Sequence, residues 1–167
     1  MKAWTARELA IRGLFTSLVI VATTIRVPAP TFNLYFNLGE AMVYLTALLF
    51  GPASGGIVGG LGSGLADILL GYPVWAPISF VVKGLEGLVV GAVAQKHDGK
   101  GDVRAVLYGA PVMLFGYALA AGLLYGLAAV PVELGGDLIQ VTMGGLTALF
   151  LARALRKLEV FQISVEK

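Results

Sequence analysis

Residues 41–66, AMVYLTALLFGPASGGIVGGLGSGLA, run for 26 positions without a charged side chain. A bilayer-crossing helix needs about 20 mostly apolar residues, so this run must be kept from water in any fold. Glu40 and Asp67 stand at its two ends, and Gly51-Pro52 interrupts it near the middle. Proline cannot continue a helix without losing a hydrogen bond, and Gly-Pro marks a turn. The run therefore reads as two helices, not one. The whole chain has the same character: 57% hydrophobic and 13% charged over 167 residues, against about 25% charged in soluble domains. A soluble domain of this size has too little interior for so much apolar surface, which makes lipid the expected solvent.

Six apolar segments fit this expectation. They run from Leu9 to Ile25, Leu38 to Phe50, Ala53 to Leu70, Pro77 to Ala94, Ala105 to Leu127, and Asp137 or Leu138 to Leu155. The second is short unless the preceding TFNLYFN joins it. The first lacks the short apolar core and small-residue cleavage site of a signal peptide, and reads as a retained helix. Lys and Arg concentrate on cytoplasmic flanks. Ten of the twelve stand before the first segment or at its start, in the loop QKHDGKGDVR, or in the last residues. Both chain ends are thus expected inside, which requires an even number of spans. The expected fold class is all-α: one integral membrane bundle of six transmembrane helices over residues 1–167, with no soluble domain.

Gly51, Gly55 and Gly59 recur every four residues, as do Gly56, Gly60 and Gly64, and Gly87 with Gly91. Small residues at this spacing let helix backbones approach closely in lipid. Packing inside the bundle is the first reading and a sliding surface for a partner the second. Gly13 and Ser17 repeat the spacing on the first segment, for internal packing or for docking another membrane subunit. No G-x-x-x-x-G-K-S/T phosphate loop occurs, and Gly62-Ser63-Gly64 is not a nucleophile elbow. Without cysteine, disulfides and thiolate metal sites are excluded. His97, the lone histidine, falls in a charged loop and reads as solvated.

Ionisable groups inside a span are costly and are functional candidates by default. Glu40, Asp67, Lys83, Glu86, Asp137 and Gln140 all fall in the outer half of their spans, while the inner half is apolar. The outer connections add Asn33, Tyr35, Asn37, Tyr72 and Trp75. Together these residues predict one polar pocket open to the outside, with rings to stack a flat ligand and amides to donate and accept. Each has a plainer alternative: helix caps for Glu40 and Asp137, a structural ion pair for Lys83 with Glu86, a packing contact for Asp67, and membrane-interface aromatics for Tyr72 and Trp75.

Residues 37–92 resemble the substrate-binding subunits (S components) of energy-coupling factor (ECF) vitamin transporters, in the group for riboflavin-like, hydroxymethylpyrimidine and pyridoxine-type substrates. The resemblance is carried by N-L-G-D/E at Asn37–Glu40, L-F-G-P at Leu49–Pro52, L-A-D at Leu65–Asp67, G-Y at Gly71-Tyr72, Pro77, and K-G-x-x-G at Lys83–Gly87. It implies a subunit of a prokaryotic plasma membrane that binds a vitamin or precursor from outside. The subunit then topples to release it inward, driven by a T subunit and two cytoplasmic ATPases. It implies no cofactor in this chain, ATP being used by the partners, and neither enzymatic activity nor nucleic-acid binding. Small residues on the first helix of the family dock the T subunit; Gly13 and Ser17 match best, with Ala6 and Ala10 as a rival pair. The outer-loop signature of the riboflavin-specific members is absent, which favours a hydroxymethylpyrimidine- or pyridoxine-like ligand. A self-sufficient carrier or channel is the alternative. It is disfavoured by the apolar inner half and by the lack of an inverted repeat.

Overall fold

The structure, a computed structural model, describes residues 4–28, 35–97 and 102–157. Five α-helices account for most of it: α1 (Ala6–Thr24), α2 (Gly39–Leu69), α3 (Ala76–Lys96), α4 (Asp102–Tyr125) and α5 (Val130–Leu155). A single 3-10 turn, Leu127–Ala129, leads into α5. The expected all-α class holds, with one small addition. Arg26–Pro28 (β1) and Tyr35–Asn37 (β2) pair as a small antiparallel ribbon, with Arg26 opposite Asn37. It joins α1 to α2 across one end of the bundle.

The long apolar run turns back on itself within α2. Gly51 has φ 78° and ψ −173°, a backbone region that is essentially restricted to glycine. On either side of this bend the two legs, residues 39–50 and 52–69, pack face to face. A Cβ built on Gly55 would lie 2.6 Å from that of Ala47, and one on Gly59 would lie 3.0 Å from Val43. The pairs step away from the bend symmetrically, as in an antiparallel hairpin of helices. We expect Gly51→Ala to destabilise the protein by about 1–3 kcal/mol, read as a lowered midpoint of thermal unfolding in detergent.

The other helices continue the alternation. Gly55, Gly59 and Gly64 of the second leg meet Gly87, Lys83 and Ala76 of α3, in antiparallel order. The glycine rows of the sequence are therefore packing surfaces within the bundle. Gly109 and Gly116 of α4 meet Val90 and Val82 of α3, and Gly145 of α5 meets Val106 of α4. On the other side Phe15 of α1 stacks edge-on against Phe50, with ring centroids 5.2 Å apart, while Gly39 abuts Thr23. It follows that the start of α1, the Gly51 bend, the end of α3, the start of α4 and the end of α5 share one end of the bundle. Arg156 clamps that end, donating to Asp102 Oδ2 at 2.5 Å and to the Leu48 carbonyl at 2.7 Å. The ribbon, the 70–75 connection and the turn before α5 occupy the opposite end.

Among the described residues, four helical stretches are long and apolar enough to cross a membrane: Gly39–Leu69, Ala76–Lys96, Asp102–Tyr125 and Leu127–Leu155. Leu107, Phe115, Leu119, Leu123 and Phe150 point outward, more than three-fifths exposed. Large apolar side chains in such a belt suit contact with hydrocarbon. The interior core is built from Val19, Val43, Tyr44, Leu48, Val58, Val90, Val106 and Ala148.

Three helix starts differ from expectation. α1 begins at Ala6, because Thr5 and Glu8 form a reciprocal capping box that satisfies otherwise unpaired N–H groups. α4 begins at Asp102, which is held by Arg156. α5 begins at Val130 with Pro131 in its first turn, a position where proline loses no helical hydrogen bond. Asp137 is therefore two turns inside α5 and is not its cap.

Candidate functional site

At the end of the bundle opposite the Arg156 clamp lies a cavity of about 390 Å³, within the range of small-molecule sites. Helical spacing builds it. Trp75, Ser79 and Lys83 recur every four residues at the start of α3, so they project on one face. Glu133, Asp137 and Gln140, four and three residues apart, likewise share a face of α5, and Met113 and Tyr117, four apart, a face of α4. Asp67 and Ser63 come from the second leg of α2, Glu40 from the first, Thr23 from the end of α1, and Tyr72 from the α2–α3 connection.

Eight of the sequence-predicted residues line this one space: Asn37, Glu40, Asp67, Tyr72, Trp75, Lys83, Asp137 and Gln140. Glu86 does not reach it; fully buried, it lies one turn below Lys83. Asn33 lies outside the described residues, and of Tyr35 only the backbone is described. Sequence reasoning missed Ser79, Met113, Tyr117 and Glu133. Ser79 and Glu133 lie one helical turn before Lys83 and Asp137, so the i, i+4 rule would have found both.

The floor is an ionic cluster. The Lys83 ammonium donates to Glu40 Oε2, to Glu86 Oε2 at 2.9 Å and to the Met113 sulfur at 2.7 Å. The Tyr44 hydroxyl donates to the other oxygen of Glu86 at 2.7 Å. Gly144 makes room for this arrangement, since a Cβ there would fall 2.5 Å from Glu40 Cγ. Glu40 is thus a partner of Lys83; the cap of α2, Leu38, makes no side-chain capping bond. Below the floor stands the apolar core.

The walls are aromatic and polar. The Trp75 and Tyr117 rings are 5.9 Å apart. The Trp75 indole donates to the Tyr125 hydroxyl at 3.1 Å, and the Tyr117 hydroxyl donates to Ser79 Oγ at 2.8 Å. Gln140 Oε1 accepts from the Asn37 N–H at 3.0 Å, tying the ribbon to α5. Three carboxylate oxygens, Glu40 Oε1, Asp67 Oδ2 and Asp137 Oδ2, are buried without a hydrogen-bond partner among the described residues. Buried acceptors in this condition are costly unless something completes them.

Gly13 and Ser17 lie elsewhere. A Cβ on Gly13 would meet nothing within 4 Å, and the exposed Ser17 hydroxyl donates to the Gly13 carbonyl at 3.0 Å. Internal packing is thereby removed as a reading for Gly13. Ala6 and Ala10 are exposed on the same helix.

Residues 3–157 match the family described as ECF-type riboflavin transporter, S component. Among curated proteins, the chain is 37% identical over 129 residues to an uncharacterized protein of the gap 3' region of Pyrococcus woesei, spanning 77% of this chain and 86% of that one. It is 31% identical over 125 residues to a UPF0397 protein of Streptococcus pneumoniae (strain Taiwan19F-14), spanning 72% and 68%. Among solved structures, it superposes with a TM-score of 0.74 on the S component of a bacterial ECF transporter, covering 90% of this chain and 96% of that one. At 20% identity, that likeness is one of fold.

Proposed function

The chain belongs to the ECF-type riboflavin transporter S component family, a family of integral membrane transporter subunits and not of enzymes, and on that premise we propose that it captures one vitamin or vitamin precursor in the cavity between Glu40, Trp75 and Asp137. A hydroxymethylpyrimidine- or pyridoxine-like heteroaromatic is the favoured ligand. The observation that carries this reading is the cavity itself: ring faces and unfilled acceptors converge at one end of the bundle, over a closed ionic floor and an apolar core. Such a floor favours carriage by movement of the whole subunit over passage through a pore.

The family membership supports the rest of the reading. Six crossings, counting the two legs of α2 separately, put both chain ends in the cytoplasm of a prokaryotic cell and the cavity outside. A T subunit and two ATPases supply the reorientation, and the open face of α1 around Gly13 and Ser17 docks the T subunit. Calorimetric titration of the detergent-purified protein with hydroxymethylpyrimidine, pyridoxine and riboflavin tests the capture step. The expected result is saturable binding of one of them without ATP. Absence of binding by all three, with no small molecule co-purifying by mass spectrometry, would overturn it.

A further inference from the structure

We propose that the ligand presents a cationic, hydrogen-donating nitrogen to the Asp67–Asp137 side of the cavity, and that carboxylated or phosphorylated relatives are turned away. This rests on the reading of the cavity as a capture site and specifies the charge of what is captured.

Donor arithmetic is the first argument. A lysine ammonium has three N–H donors and no acceptor. All three donors of Lys83 are already engaged, with Glu40, Glu86 and the Met113 sulfur. Lys83 is the one cationic side chain among the described residues lining the cavity, so none of its donors is left for a ligand carboxylate or phosphate. The acidic groups are in the opposite condition. Glu40 is 2% exposed and Asp137 is 7% exposed; both line the cavity, as Asp67 does, and each of the three carries a buried oxygen with no hydrogen-bond partner among the described residues. Glu133 adds a fourth carboxyl. An anion entering here meets four carboxyl groups and an occupied ammonium, whereas an N–H-bearing cation completes acceptors that the protein leaves open. Charge-assisted bonds of this kind are the stronger ones.

Geometry selects an organic cation over a metal ion. No three of the described His, Asp and Glu side chains converge closely enough to hold a metal, since the carboxylates stand around the cavity wall. Trp75, Tyr72 and Tyr117 line the same space, and their ring faces attract a cation electrostatically. Lys83 already stands 5.7 Å from the centre of the Tyr117 ring.

The test uses two series of probes that differ at one substituent. One is pyridoxamine, pyridoxine and 4-pyridoxic acid. The other is the 5-aminomethyl, 5-hydroxymethyl and 5-carboxy forms of 4-amino-2-methylpyrimidine. Each is titrated at neutral pH into the purified full chain in lipid nanodiscs. In whichever series binds, the ammonium member is expected to bind at least about tenfold more tightly than its alcohol, with the carboxylate weakest. Asp137→Asn is expected to remove most of that preference while retaining the alcohol. Asp67→Asn is the second variant should the first fail to fold. Equal affinity for the ammonium and alcohol members, or a preference for the carboxylate, would overturn the charge assignment and leave capture standing. Failure of all six to bind would overturn the pyridine and pyrimidine reading together with it.

Discussion

Lys83→Met is expected to destabilise the folded protein by about 3–5 kcal/mol, the typical cost of breaking a buried ion pair by removing one partner. The reason is what remains behind. Glu40 and Glu86 both point at the ammonium, and both are almost completely enclosed. Without it, two carboxylates face each other in a dry floor with Tyr44 as the one remaining donor. A triple variant, Lys83→Met with Glu40→Gln and Glu86→Gln, removes all three ionisable groups while keeping their approximate volumes. It is expected to recover most of the lost stability, because neutral replacement of a complete buried network is often tolerated. Thermal unfolding of the three proteins in the same detergent, followed by circular dichroism, checks the order. A single variant as stable as the parent would mean that the floor is wetter than its burial indicates. Ligand binding separates the two roles of the cluster. The triple variant keeps a floor but loses the Glu40 carboxylate that faces the cavity, so it is expected to fold and to bind weakly.

Much of this site was legible in the sequence, because charge in an apolar chain is conspicuous. Glu40, Asp67, Lys83 and Asp137 stand out because they interrupt long apolar segments, and the positive-inside pattern places them in the outer half of their spans. What single residues in sequence do not show is where the cavity ends along a helix. Lys83 and Glu86 share a face of α3, yet one lines the cavity and the other is sealed beneath it. The difference is one turn of depth: Lys83 meets Glu40 at the start of the first leg of α2, and Glu86 meets Tyr44 one turn further in. The break at Gly51 was legible because Gly-Pro has few backbone options. The starts of α1 and α5 carry local signals that hydropathy does not register: Thr5 with Glu8 three residues on, and Pro131. Charged residues at a helix start read as loop in an apolar chain, although capping places them inside the helix. The ribbon was not legible, since three-residue strands carry too little pattern to distinguish them from turns.

The glycine rows yield a second large effect. A Cβ on Gly87 would lie 2.2 Å from the carbonyl oxygen of Gly55 and 2.4 Å from its carbon. These are backbone atoms, so no rotamer change relieves the clash and the two helices must separate. In lipid there is little hydrophobic drive between helices, and close packing itself holds them together. Gly87→Ala is therefore expected to cost about 1–3 kcal/mol, the usual range for overpacking, and Gly87→Val more. The effect should extend to the ligand, because α3 carries Trp75, Ser79 and Lys83 into the cavity as one rigid face. Displacing α3 from the second leg of α2 moves those three away from Asp67 together. Affinity is expected to fall at least about tenfold in Gly87→Ala, even at temperatures where the variant remains folded. Gly13→Ala supplies the contrast: with nothing within 4 Å of the added methyl, both stability and ligand affinity should be retained. Paired thermal unfolding and calorimetry on the two variants decide the matter. If Gly87→Ala matched Gly13→Ala in both measurements, the contact between the second leg of α2 and α3 would not be what positions the site.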